Sequence, residues 1–135
     1  MGGEGGGWEE VVEHVVARLA EGVPDDQLLD LLEDATAAFV STDLIHRLVP
    51  HAPRLLSLTY DAHPGAGLTA GVAICAIDRP SGRRLLTTSR EAFACAGDDV
   101  GHGYGCFLEG LEDLGEGNLD GASAWWQRSR DLLGR

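Results

Sequence analysis

Side chains that could bind a metal are few in this sequence. His102 and Cys106 are four residues apart on a predicted helix, so both could point towards one ion, and Asp98 and Asp99 lie nearby. A structural zinc site needs four ligands in a tetrahedral arrangement, and the spacing does not supply four. We therefore expect packing or surface roles for these residues, and neither a metal nor a cofactor in the protein.

The nucleophiles worth considering are the three cysteines, Cys75, Cys95 and Cys106, none of which belongs to a Cys-x-x-Cys pair. A reactive thiolate needs an electropositive and partly exposed setting. Two of these cysteines lie instead on apolar helical faces, where thiols are usually buried and inert. An odd number of unpaired cysteines is typical of reduced, cytoplasmic proteins. We predict a cytoplasmic protein with no catalytic residue, and we favour a non-enzyme over an enzyme.

A second polar cluster surrounds a proline that should kink the chain. His46 and His51 flank it, and Arg47 and Arg54 lie close by. Arginine forks match carboxylates and phosphates, so a small anion pocket could form, but no glycine-rich phosphate loop accompanies the cluster. A kinked amphipathic helix is the favoured interpretation. The alternative function is a small helical enzyme, or a ligand-binding or metal-binding domain, with a pocket between this kink and His102.

Carboxylates line one face of a predicted helix near the C-terminus. Glu109, Glu112, Asp113 and Glu116 follow the i, i+3, i+4, i+7 spacing that places side chains together. Their mutual repulsion would cost stability unless the face meets water or a basic partner. A solvated face is the ordinary interpretation. An acidic groove for an arginine-bearing protein or peptide is the functional one, and it is the best site hypothesis that the sequence offers.

Two adjacent tryptophans follow in the next helix. Trp126 shares a stripe with Leu119, Ala122 and Leu133 and is therefore predicted to be core. Trp125 is about 100° further round the helix, where it could extend the core or form part of an interface. The predicted partner-binding residues are Tyr104, Glu109, Glu112, Asp113, Glu116 and Trp125.

Composition excludes several functions. The 135 residues carry a net charge of −12, which disfavours direct binding of nucleic acid or of an anionic membrane. All ten basic residues are arginine, so neither a Schiff-base lysine nor a Walker-type lysine is present in the chain. No apolar run reaches the roughly eighteen residues of a membrane span. We expect a flexible leader over residues 1–7 and a single helical domain over residues 8–135.

Helical periodicity runs along nearly the whole sequence and predicts an all-α fold of seven or eight helices in stacked antiparallel pairs. Leu28, Leu32, Ala35 and Phe39 share one face and predict one helix. The stretch "GVAICAI" could be a buried strand, but its helical surroundings favour a helix. "DAHPGAG" and "DRPSG" are predicted to be a loop and a turn. Further helices are predicted over residues 83–96, 99–114 and 118–133.

A repeated pattern appears in the second half of the chain. Ser89, Phe93 and Ala96 precede Ala122, Trp126 and Ser129 by 33 residues, and both triples read small-x3-aromatic-x2-small. With Gly103 as the first position, the sequence resembles a tetratricopeptide repeat over residues of about 68–134. Its characteristic glycine, turn glycine, alanine and aromatic positions are occupied by Gly110, Gly117, Ala122 and Trp126.

The same segment is similar in texture to the degenerate helical repeats of actinobacterial regulatory proteins. Both resemblances imply a protein-interaction or regulatory scaffold, in which the first helix of each pair lines the concave surface. That placement supports the acidic groove on residues 109–116. About three helix pairs are near the minimum for a stable array, so we expect another protein, a peptide or a second copy of this chain as the partner.

Overall fold

The computed structural model describes residues 3–135, with side chains from Gly7 onwards. Within this range the protein is entirely helical, as predicted, and contains no strand. The described residues form eight α-helices, which pack in pairs, and one 3-10 helix, Leu44–His51, which lies between the third and the fourth α-helix. They are α1 (Gly3–Glu21), α2 (Asp25–Asp34), α3 (Thr36–Ser41), α4 (Ala52–Leu56), α5 (Pro64–Cys75), α6 (Arg79–Ala96), α7 (Asp99–Gly115) and α8 (Leu119–Leu133).

The first helix begins within the predicted leader. Residues 1 and 2 of that leader lie outside the described residues, whereas α1 starts at Gly3. It ends at Glu21, and Gly22 follows with a φ of +75°, a conformation that favours glycine. Val23 then donates a backbone hydrogen bond to the Arg18 carbonyl. The next helix follows directly after Pro24.

One predicted helix is divided in two. α2 ends at Asp34 and α3 begins at Thr36, although the four residues of the predicted stripe are all buried. The Thr36 hydroxyl donates to the carbonyls of Glu33, at 2.9 Å, and Leu32, at 3.3 Å. A threonine that bonds back to the preceding turn competes with the helical ladder. The apolar face is thus continuous while the helix is not.

Two stretches predicted as loop and turn are helix starts. α5 begins at Pro64, inside "DAHPGAG", and α6 begins at Arg79, inside "DRPSG". Proline suits the first turn of a helix. Asp78 caps α6 by accepting hydrogen bonds from the Ser81 backbone, at 3.4 Å, and from the Ser81 hydroxyl, at 2.7 Å. Here the glycine residues permit close packing and the proline residues lie in the first turn of a helix. Composition alone does not distinguish these roles from those that glycine and proline have in loops.

Buried side chains form two hydrophobic clusters. The larger one joins α1–α5 and the 3-10 helix, with Val12, Leu28, Phe39 and Leu55 among its fully buried members. The smaller one consists of Leu68 of α5, Leu86 of α6 and Leu108 of α7. From α5 onwards each helix packs mainly on its neighbours in sequence. Within the described range, no helix is both long enough and apolar enough to cross a bilayer.

Candidate functional site

The predicted acidic face lies against α6. Glu109, whose side chain is 1% exposed, accepts hydrogen bonds from three groups of that helix. Arg83 Nη2 donates to its Oε1 at 3.0 Å, while Thr87 Oγ1 and Arg90 Nε donate to its Oε2 at 2.9 and 3.0 Å. A carboxylate with so many charge-assisted donors is fully compensated despite its burial.

The other three carboxylates meet the same row of arginines. Arg83 also bonds to Asp113, at 3.0 Å, and to Glu116, at 2.7 Å. Arg79 bonds to Glu112, at 2.8 Å, and to Glu116, at 3.2 Å. These contacts hold the pKa of Glu116 below its usual value, with the Arg83 hydrogen bond as the largest cause. We call this set the α6–α7 charge cluster: Arg79, Arg83, Thr87, Arg90, Glu109, Glu112, Asp113 and Glu116.

The charge cluster changes how the acidic residues must be interpreted. They form neither a purely solvated face nor an open groove for a basic partner, because each of the four carboxylates pairs with at least one arginine of the same chain. The relevant signal was present in the sequence. Arg79, Arg83 and Arg90 share one face of α6 at helical spacing, but nothing local shows which carboxylates they meet.

Trp125 is connected to this cluster through Arg90. The Arg90 guanidinium lies 4.7 Å from the centre of the Trp125 ring, and Arg128 approaches the same ring to 5.7 Å. Trp125 is half-buried. Tyr104 packs beside the smaller hydrophobic cluster. The structure therefore links Trp125 to Glu109 through Arg90, and it shows no such link for Tyr104.

Trp126 packs in the α7–α8 hairpin, as its predicted core role requires, but it is only half-buried. Its Nε1 donates to the Phe107 carbonyl at 3.2 Å. A Cβ at Gly110 would overlap the indole ring, so glycine permits this approach. Phe93 behaves differently, because it packs on Gly101 of the following helix. The 33-residue offset thus aligns two aromatic residues whose contacts are not equivalent.

Equivalent contacts of α6 and α8 recur at 40 residues instead. Asp78 and Asn118 are the N-caps, and each accepts a hydrogen bond from the backbone N–H three residues later. Three further positions correspond in the two helices. The first is a buried small residue, the second is a large apolar residue that packs on a glycine of the partner helix, and the third is a buried serine. The corresponding pairs are Gly82 and Ala122, Leu86 and Trp126, and Ser89 and Ser129.

An apolar groove of about 670 Å³ lies between α7 and α8. Its lining includes Phe107, Trp126 and Leu133, and Leu133 is 43% exposed although it was predicted to face the core. Among the described residues, Arg130 is the one charged residue of this lining, and its guanidinium donates to Gln127 at 2.7 Å. The predicted partner-binding set missed this groove, because its residues were assigned to an internal stripe.

The histidine and arginine residues of the alternative site have other neighbours. His46 and His51 lie on the 3-10 helix, where Arg47 pairs with Glu13. Arg54 bonds to the Val23 carbonyl and to Asp25, on the N-terminal side of the molecule. His102 lies on α7, and its pKa is lowered by burial and then by Arg128 and Arg90.

The cysteines divide by exposure. Cys75 and Cys106 are buried, whereas Cys95 is exposed. Burial raises the pKa of the Cys75 thiol to about 12, and that of Cys106 is raised for the same reason. Both are therefore protonated at neutral pH and are poor nucleophiles.

In the part of the chain that the structure describes, no group of three or more histidine, cysteine or acidic residues is arranged to hold a metal ion. Comparisons with protein-family models, with curated proteins and with solved structures found no match to this chain.

Proposed function

We propose that the protein is a helical interaction module that binds a helix of a partner protein in the α7–α8 groove. A comparison of the two helix pairs α5–α6 and α7–α8 supports this proposal. On the α5–α6 pair, the corresponding surface is covered by α7. On the α7–α8 pair, no further helix of the described range packs on this surface to a comparable extent, so Leu133 is 43% exposed while Phe107 and Trp126 are half-buried.

The chemistry of the groove favours a helix as the occupant. The surface that it repeats is already the binding surface of a helix, α7, and an apolar groove flanked by two helices is a common way to recognise an amphipathic helix. In the part of the chain that the structure describes, its one charged lining residue is Arg130. The groove itself therefore suits an apolar partner face with an acidic side chain, rather than the basic partner expected from the carboxylates.

The tetratricopeptide-like pattern supports the same function. Proteins built from stacked helix pairs present extended surfaces to other proteins, and the pairs α5–α6 and α7–α8 follow one another in this chain. A regulatory scaffold is the role that this resemblance implies. We propose that this protein is such a regulatory scaffold and that it is located in the cytoplasm.

The test is a selection of phage-displayed amphipathic helices against the 135-residue protein, followed by titration with two variants. Leu133→Asp places a charge in the groove, and we expect it to weaken the selected helices at least tenfold, because apolar contact area is lost. Ile77→Asp is the matched control, since Ile77 is 51% exposed and outside the groove. The control should bind normally.

Two results would overturn the proposal. One is a selection that yields no helix, or only helices that bind the Leu133→Asp variant as well as the parent. The other is a dimer in sedimentation equilibrium that Leu133→Asp dissociates, which would assign the groove to a second copy of this chain. The hypothesis of a small helical enzyme or ligand-binding domain around His46, His51 and His102 stays a separate prediction, and elemental analysis of the purified protein tests its metal-binding form.

A further inference from the structure

The side chains that hold α7 on the α5–α6 pair define what a helix must carry in order to bind there. Small residues permit its approach. A Cβ at Gly101 would overlap the Phe93 ring, and one at Gly105 would lie 2.8 Å from Arg90 Cβ. These two glycines are four residues apart and therefore lie on one face of α7.

Two larger side chains complete the same face. Leu108 packs with Leu68 and Leu86 in the smaller hydrophobic cluster. Glu109 accepts the 3.0 Å hydrogen bond from Arg90 Nε. The interface pattern of α7 is thus small-x3-small-x2-Leu-Glu, covering residues 101–109.

The residues of α5 and α6 that contact this face of α7 have counterparts in the α7–α8 groove. On α6 and α8 the correspondence is the 40-residue spacing of their N-caps. On α5 and α7 it follows from Gly71 and Gly110, each of which faces a large residue of its partner helix. The corresponding pairs are Leu68 and Phe107, Leu86 and Trp126, Arg90 and Arg130, and Phe93 and Leu133.

We infer that the partner of this groove is a helix with the interface pattern of α7, and that its carboxylate forms an ion pair with Arg130. This inference rests on the proposed function and specifies the partner. The small residues of the pattern lie on Leu133 and Arg130, the leucine enters between Phe107 and Trp126, and the glutamate meets the Arg130 guanidinium. Arginine provides a planar fork for this contact, which favours a carboxylate over a neutral side chain.

The second half of the partner helix differs from α7. Arg79 and Arg83 bind Glu112, Asp113 and Glu116, and Arg83 also binds Glu109. The corresponding residues of α8 are Leu119 and Ser123, so Arg130 is the cation that remains for the glutamate of the pattern. Leu119 is 65% exposed. A helix over α8 therefore meets an apolar and a small neutral residue at these positions, where carboxylates would lose solvation without gaining a cation.

The probe for this inference is a fluorescein-labelled peptide of residues 98–116 with Cys106→Ser and with Glu112, Asp113 and Glu116 each replaced by alanine. These alanines disfavour exchange into the place of α7 itself, because Arg79 would lose both of its partners and Arg83 would keep only Glu109. Binding to the 135-residue protein is followed by fluorescence anisotropy. Arg130→Ala in the protein and Glu109→Gln in the peptide should each weaken binding about tenfold, the usual scale for one charge-assisted hydrogen bond.

A charge exchange provides the decisive measurement. Arg130→Glu should abolish binding of the parent peptide, and the Glu109→Arg peptide should recover at least a tenth of the original affinity for that variant. Arg18→Glu, on the distant α1, is the control and should bind like the parent protein. Because Arg130 is exposed, we expect its variants to keep the fold. Circular dichroism of each variant checks this.

Three outcomes overturn the inference, and they are separable from failure of the proposed function. Binding that is unaffected by Arg130→Glu excludes the ion pair. Equal binding of a scrambled peptide, with the same composition but without the small-x3-small-x2-Leu-Glu spacing, excludes the pattern while the groove still binds helices. If neither this probe nor any selected helix binds, the proposed function fails as well.

Discussion

Arg90 and Glu109 are joined by a 3.0 Å hydrogen bond between α6 and α7, and both side chains are largely withdrawn from solvent. Removing one member of a buried ion pair leaves the other without compensation, which costs about 3–5 kcal/mol. We therefore expect Glu109→Ala to lower the free energy of unfolding by that amount in urea denaturation. Glu116→Ala is the control, since Glu116 is 39% exposed, and it should cost less than about 1 kcal/mol. Equal losses in the two variants would contradict this assignment.

The contact between Gly110 and Trp126 predicts a difference between two glycines of α7. A methyl group at Gly110 would overlap the indole ring, so Gly110→Ala should destabilise the protein by about 1–3 kcal/mol. Nothing lies within 4 Å of a Cβ at Gly115. Gly115→Ala should be neutral or stabilising by up to about 1 kcal/mol. Thermal unfolding of both variants measures this difference, and a tolerated Gly110→Ala would show that the hairpin is looser than described.

Stacking of Trp125 on Arg90 predicts that an aromatic residue is needed at position 125. Trp125→Leu keeps apolar contact but loses the ring face, and it should cost about 0.5–2 kcal/mol. Trp125→Phe keeps a ring and should cost less. Urea denaturation of the pair measures the contribution of the ring. If the leucine variant were as stable as the phenylalanine variant, cation–π attraction would contribute nothing here.

Thiol exposure predicts selective modification. Iodoacetamide at pH 8.5 should label the native protein once, at Cys95, because Cys75 and Cys106 are buried and their pKa values are raised. In urea all three thiols should react. Peptide mass spectrometry locates the adducts, and native labelling of Cys75 at the rate of Cys95 would refute the buried position.

The raised pKa of Cys75 also predicts a dependence of stability on alkaline pH. Its value in the folded protein, about 12, exceeds the ordinary 9.0, so the unfolded chain loses this proton first. The stabilising contribution is complete below pH 9 and is lost as the pH rises towards 12. Comparison of the parent with Cys75→Ala by urea denaturation across this range should show a shallower decline in the variant. Parallel declines would exclude the effect.

The sequence predicts a structural feature well when neighbouring residues determine it, and poorly when packing against distant residues determines it. The extents of α7 and α8 follow from local periodicity and from Asn118, which caps its own helix. The starts of α5 and α6 were missed, because their glycine and proline residues resemble loop composition while the packed structure uses them inside helices. Local patterns contain no information about that packing.

The candidate site shows the same division. The spacing of Glu109, Glu112, Asp113 and Glu116 correctly places them on one helical face, but their partners lie 19 to 37 residues away on α6. Only the alignment of α6 against α7 decides that pairing. Likewise, residue types match at 33 residues, whereas the contacts of α6 and α8 match at 40, because the contacts depend on where each helix begins.

The packing of α8 predicts that it opens more readily than α5. This helix rests on α7 and on no other described element to a comparable extent. Its backbone amides should therefore exchange with deuterium sooner than those of α5, which is covered on most sides. A helix bound along α8 would slow that exchange selectively. The rate at which the α8 amides exchange would then show whether the groove is occupied, even if binding leaves the rest of the structure unchanged.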